Sequence, residues 1–165
     1  MKLLIAYAGK TGGSADMCAL LASLLKNHAV TVCDLAKTDP VIGDYDYVVF
    51  GGAVHFAKLY RPARRFLKQH EKELAALPHT LFLTCAFAEQ FQNYADMIFP
   101  ADLIETAEQV VYFGGELDPK KARGLDRLLI RAVRSHIRDS EDGDATLPGL
   151  LPEHVRMLAD TLRAK

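Results

Sequence analysis

Residues 2–16 read KLLIAYAGKTGGSAD, and the way this stretch is parsed decides the fold. A strand-type apolar run, residues 2–7, passes into a turn that holds Gly9, Lys10, Thr11, Gly12, Gly13 and Ser14, and Asp16 stands where a helix takes its first turn. The turn is not a P-loop, because GxxxxGK[ST] needs a glycine at the position occupied by Leu4. Nor is it a dinucleotide GxGxxG turn, since the second required glycine falls on Thr11. What remains is a strand, a turn rich in amide N–H groups and hydroxyls, and a helix with Ser14 as its expected N-cap. Unpaired N–H groups and the helix dipole at such a place suit a phosphate dianion.

The same alternation continues outward. Strand-type runs AVTVCD (29–34), DYVVFGG (46–52), TLFLTCAF (80–87) and QVVYFGG (109–115) are apolar on both faces, as strands of a parallel sheet covered by helices must be. Between them Met17, Cys18, Leu21, Leu24 and Leu25 recur at helical spacing, and Pro62 opens a helix with Ala63, Phe66, Leu67 and Leu74 on its inner face. A weaker helix over 90–99 stops at Pro100; longer ones are expected over 119–138 and 152–164, separated by the polar stretch 139–149. Five strands alternating with helices specify a three-layer, doubly wound α/β fold with a five-stranded parallel sheet, expected as one domain over 1–165. Ligands of such sheets sit beyond the carboxyl ends of the strands, so the loops after strands one, three and four are the places to search.

Composition narrows the partners. A net charge of -1 excludes a general polycation for nucleic acid, and no apolar run approaches the roughly 20 residues of a membrane-spanning helix. The first apolar run ends after six residues in glycines and Lys10, unlike a secretion signal. Cys18, Cys33 and Cys85 lie far apart and make no metal set with the six histidines, so they read as buried, reduced thiols of a cytoplasmic protein with no metal.

Thr11, Gly12 and Ser14 resemble the flavodoxin phosphate loop, with Gly9 in place of that loop's first hydroxyl residue. The resemblance implies strand order 2-1-3-4-5 and FMN as cofactor, its phosphate held by Gly9, Lys10, Thr11, Gly12, Gly13 and Ser14. It also implies that the isoalloxazine ring lies between the loop of Ala53, Val54, His55 and Phe56 and the loop of Cys85, Ala86, Phe87, Phe91 and Tyr94. The stretches GGAVHFAKLYRPARRFLKQHEKELAALP (51–78) and VVYFGGELD (110–118) are similar to the flavodoxin-type, menaquinone-dependent protoporphyrinogen oxidases. That narrower likeness implies an oxidoreductase that takes electrons from a porphyrinogen and gives them to quinone. The alternatives are an electron carrier serving a protein redox partner and a binding module without flavin.

Charge and titratable groups bear on that choice. Between Leu117 and Arg138 the seven residues Lys120, Lys121, Arg123, Arg127, Arg131, Arg134 and Arg138 face only Asp118 and Asp126. Leu125, Leu128, Leu129, Ala132 and Val133 form an apolar stripe beside the arginines. This segment reads either as a core-docked helix with a solvated basic face or, over 120–138, as a contact with an acidic partner or an anionic membrane at its inner face. Lys58, Arg61, Arg64 and Arg65 make a second basic cluster beside a proposed ring loop, suited to propionate carboxylates. His55 is the one candidate proton donor or acceptor, and no nucleophile–base constellation accompanies it, so chemistry is expected to come from the cofactor.

Overall fold

Covering a parallel sheet on both faces demands strands with no polar side, and three strands meet that demand fully. In β1 (Lys2–Ala8), β3 (Tyr47–His55) and β5 (His79–Thr84), the residues Leu3, Leu4, Ile5, Val48, Val49, Phe50, Leu81, Phe82 and Leu83 are all at 0% exposure. The computed structural model describes residues 1–116, 118, 120–139 and 149–165. Its sheet runs β2-β1-β3-β5-β6, all parallel, with β2 at Ala29–Asp34 and β6 at Gln109–Tyr112. The two-residue β4 (Lys58–Leu59) pairs antiparallel with the end of β3 as a hairpin. Leaving that hairpin aside, the parallel strands have the expected order. β2 departs from the two-faced pattern because it is the sheet edge, and Thr31 and Val32 stay exposed.

Strand pleating sends alternate residues to opposite layers. Leu4, Ala6, Ala8, Val48, Phe50, Leu81 and Leu83 meet Ala63, Phe66, Leu67 and Leu74 of α2 (Arg61–Ala75), the four inward residues that its periodicity predicts. Phe99, which ends α3 (Phe91–Ile98), and Leu103 of α4 (Ala101–Thr106) complete this layer. α4 is an addition to the sequence reading: Pro100 ends one helix and serves as N-cap to the next. On the other face Leu3, Ile5, Tyr47, Val49 and Phe82 meet Met17, Cys18 and Leu21 of α1 (Gly13–Leu24) and Val155, Leu158, Ala159 and Leu162 of α6 (Pro152–Arg163). All three cysteines are buried free thiols.

The helix α5 (Gly124–Asp139) belongs to neither layer. Core docking of its stripe is overturned: Leu125, Leu128 and Leu129 are 77%, 61% and 45% exposed. The reason is topological. Gly114 bridges Leu150, Gly115 N–H donates to Gly149 O at 3.0 Å, and Leu151 N–H donates to Phe113 O at 3.0 Å. The chain therefore returns beside the point where it left the sheet, and α6, not α5, takes the sheet face next to α1. Pro119 and 140–148, which belong to the expected helix start and polar loop, lie outside the described residues, as do the side chains of Val133 and Arg138.

Candidate cofactor site

A cavity of about 330 Å³ opens beyond the carboxyl ends of β1, β3 and β5. Gly9, Lys10, Thr11, Gly13, Ser14, Ala53, Val54, His55, Phe56, Cys85, Ala86, Phe87 and Tyr94 line it. Two expected residues do not. Gly12 is not on its wall, and Phe91 starts α3 by packing its ring 5.2 Å from that of Tyr112.

At the phosphate-suited end, the N-cap of α1 is Gly12, whose φ of 94° is a conformation open to glycine. Ser14 lies one residue inside the helix, and its hydroxyl shares a 2.7 Å hydrogen bond with that of Thr84. Both residues are buried, at 2% and 6% exposure, so the Ser14 hydroxyl serves the joint between α1 and β5 and does not cap. The same pairing explains Gly9. A Cβ there would stand 3.0 Å from both Cβ and Oγ of Ser14, so the bonded Ser14 occupies the room that a hydroxyl residue at position 9 needs. The donors left for an anion are backbone groups. Asp16 N–H closes the first helical bond on Gly12 O at 2.9 Å, so the N–H groups of Gly13, Ser14 and Ala15 precede the helical ladder and have no acceptor within it. The Thr11 hydroxyl stands beside them on the cavity wall.

The second wall ends β3. Phe56 and Ala57 have φ of 50° and 56°, forming the two-residue turn between β3 and β4. Positive φ at both positions matches the strand twist of such hairpins, yet costs a residue with a Cβ about 1–2 kcal/mol each. That strain sits at the cavity rim and presents Phe56, 70% exposed, with its ring in edge contact with His55 at 4.5 Å.

The third wall follows β5. Cys85 N–H donates to Gly114 O at 3.0 Å, and Cys85 O accepts from the Tyr112 hydroxyl at 2.8 Å, which fixes this loop against β6. Burial pushes the Cys85 thiol up to about 11 and the Tyr112 hydroxyl up to about 12. Both keep their protons at neutral pH, so neither offers a base. Ala57, Tyr60 and Thr84, of the loops expected at the ring, also line the cavity, and Gly115, Glu116, Leu129, Ile130 and Leu150 join them from outside the expected loops. Thr84 was visible as the polar residue ending an apolar strand, whereas Leu129, Ile130 and Leu150 arrive from the excursion after β6 and its return, a placement that no local pattern encodes.

The amide-rich start of α1 suits an anion, and the loops 53–57 and 85–87 suit an apolar, flat group. Donors crowd one end, and Val54, Phe56, Phe87, Leu129 and Ile130 supply apolar surface around the other.

Residues 4–144 match the family described as Flavodoxin domain. Among solved structures, oxidised flavodoxin 1 from Bacillus cereus is 13% identical over 82% of this chain and 95% of its own, with a TM-score of 0.50. A short-chain flavodoxin associated with a non-canonical PDU bacterial microcompartment is 16% identical over 82% of this chain and 95% of its own, with a TM-score of 0.52. Rubredoxin oxygen:oxidoreductase from Desulfovibrio gigas is 13% identical; 99% of this chain and 36% of that longer chain align, with a TM-score of 0.50. No curated protein matches the chain in sequence. At these identities the structural likeness speaks for the fold alone.

Proposed function

The chain belongs to the Flavodoxin domain family, and from that premise we propose that it binds FMN and serves electron transfer. The observation that carries the reading is one cavity with helix N-terminal amides at one end and two ring-sized loop walls at the other, at the carboxyl edge of the sheet. Bound FMN supplies one- or two-electron chemistry. The N–H groups of Gly13, Ser14 and Ala15 and the Thr11 hydroxyl hold the phosphate, aided by the positive end of the α1 dipole. Ser14 contributes through its amide, while its hydroxyl keeps Thr84 in place. Ala53 to Phe56 and Cys85 to Phe87 would frame the ring, with Tyr94 also on the cavity wall, and His55 would be the imidazole beside it able to take or give a proton.

The test is a titration of purified protein with FMN and with riboflavin, followed by the visible spectrum. FMN binds at least tenfold more tightly than riboflavin if the amide end holds a phosphate; equal affinities refute that assignment.

Within the same reading, the narrower proposal is an oxidoreductase that takes electrons from protoporphyrinogen IX and passes them to a quinone, with 120–138 contacting the anionic membrane where a quinone dissolves. Support comes from the apolar wall added by Leu129 and Ile130 and from the exposed cluster Lys58, Arg61, Arg64 and Arg65, suited to propionates. Anaerobic mixing of the FMN-loaded protein with protoporphyrinogen IX bleaches the flavin, and a menaquinone analogue restores its colour. Bound flavin inert to both reagents leaves the carrier reading.

A further inference from the structure

Among the described residues, helix α5 presents Leu125, Leu128 and Leu129 to solvent. Leu125, Leu128 and Leu129 recur at the spacing of one helical face and are 77%, 61% and 45% exposed, with exposed Ala132 completing the stripe. Exposed Arg131 lies round the helix from Leu128, exposed Arg127 lies further round toward the opposite, polar face, and Lys120 and Arg123 precede the stripe. Leu129 and Ile130 also line the cavity, so this helix stands at the cavity mouth. Among the described residues no helix is long and apolar enough to cross a membrane.

We propose that α5 is an interfacial helix: the face of Leu125, Leu128 and Leu129 enters the surface of an anionic lipid membrane, with Arg127 and Arg131 at the headgroups. This gives residues and an orientation to the membrane contact named above and rests on that reading. The observation favouring lipid is the pairing of exposed leucines with exposed basic side chains on the polar face of the same helix, because an anionic surface satisfies both at once. A second copy of the chain fits less well, since it would cover the leucines but leave Lys120, Arg123, Arg127 and Arg131 without counter-charge. The chain's own acidic segment, Asp139 with Glu141, Asp142 and Asp144, supplies counter-charges but only Ala145 and Leu147 as apolar cover. Docked this way, the cavity mouth faces the lipid surface, and a lipid-dissolved reactant reaches the site without crossing water.

The experiment is co-sedimentation of the full chain, supplied with FMN, with vesicles of phosphatidylcholine alone and of phosphatidylcholine with phosphatidylglycerol, reading protein by gel and flavin by absorbance in both fractions. Binding to the anionic vesicles is expected to exceed that to neutral ones at least tenfold and to weaken as salt rises. The pair Leu125→Gln and Leu128→Gln lowers it at least tenfold, as does Arg127→Gln with Arg131→Gln. Met157→Gln, an equally exposed apolar position on α6, leaves binding unchanged. Equal partition onto both vesicle types, or binding indifferent to the leucine pair, overturns the proposal. So does a dimer in sedimentation velocity that the leucine pair dissolves, which assigns the face to a second copy. Flavin content is read in the same samples. Full FMN occupancy without lipid binding therefore refutes this inference alone, and lipid binding of a protein that takes up no FMN refutes the functional reading alone.

Discussion

The wall of the cavity that comes from the sheet and the wall that comes from α5 are held by different forces. The first stands on the ends of β1, β3 and β5, whose core residues are wholly buried and whose backbones are tied into one ladder. Its donors are carried by the start of α1, itself locked to β5 through the buried Ser14–Thr84 pair. The second wall belongs to an excursion clipped at its base by the Gly114–Leu150 bridge, and its leucines face solvent. The contrast teaches a division of labour. The sheet side pre-organises cofactor donors at a cost met during folding, and the α5 side is free to present a surface to something outside the chain.

Breaking the first wall at its tightest point should give the largest effect. A Cβ at Gly51 would stand 1.9 Å from Phe82 O, backbone that cannot move without opening the β3–β5 ladder. Gly51→Ala is expected to cost about 4 kcal/mol or more in urea unfolding, or to abolish soluble folded protein. A loss under about 1 kcal/mol contradicts the strand spacing.

Next comes the joint between that wall and the phosphate end. Thr84→Val leaves the buried Ser14 hydroxyl without its partner and should destabilise by about 1–3 kcal/mol, while weakening FMN binding. In a cycle with Ser14→Ala the two changes should be less than additive, because removing the second hydroxyl relieves the penalty left by the first. Full additivity in the unfolding midpoints denies the coupling.

A smaller effect is expected where the end of the chain closes the sheet. Lys165 Nζ lies 2.9 Å from Glu108 and 5.5 Å from the centre of the Tyr47 ring, and the Tyr47 hydroxyl donates to Glu108 at 3.0 Å. Burial opposes ionisation of Glu108, but hydrogen bonds from Lys165 and Tyr47 outweigh it and hold the carboxyl below its usual range. A depressed carboxyl stabilises the fold above its unfolded pKa, and the contribution is lost as pH falls through the folded value. Lys165→Ala should cost about 0.5 kcal/mol near neutrality for so exposed a pair, with the gap to wild type narrowing in acid. A gap that widens in acid reverses the sign and rejects the account.

The smallest effect belongs to the second wall. Leu128→Gln should change stability by less than about 0.5 kcal/mol, since this side chain leaves solvent for no core. A thermal shift reporting a loss near 2 kcal/mol would show that α5 is docked after all, which erases the contrast between the walls.

Periodicity and turn chemistry in the sequence were enough for the central strands, the glycine turn opening into α1, and the inner face of α2 down to Ala63, Phe66, Leu67 and Leu74, because these follow from local spacing of apolar residues. The loops that wall the cavity were legible for a related reason: in a doubly wound sheet they are the segments after particular strands. Tertiary structure alone decided three matters. It paired Ser14 with Thr84, 70 residues away, and so turned an expected cap into a buried joint and gave Gly9 its reason. It turned Phe91 into packing against Tyr112 and brought Leu129 and Ile130 to the cavity. It kept the described leucines of α5 out of both core layers, because apolar spacing marks which face of a helix seeks cover, while α6 takes the place beside α1 on the sheet.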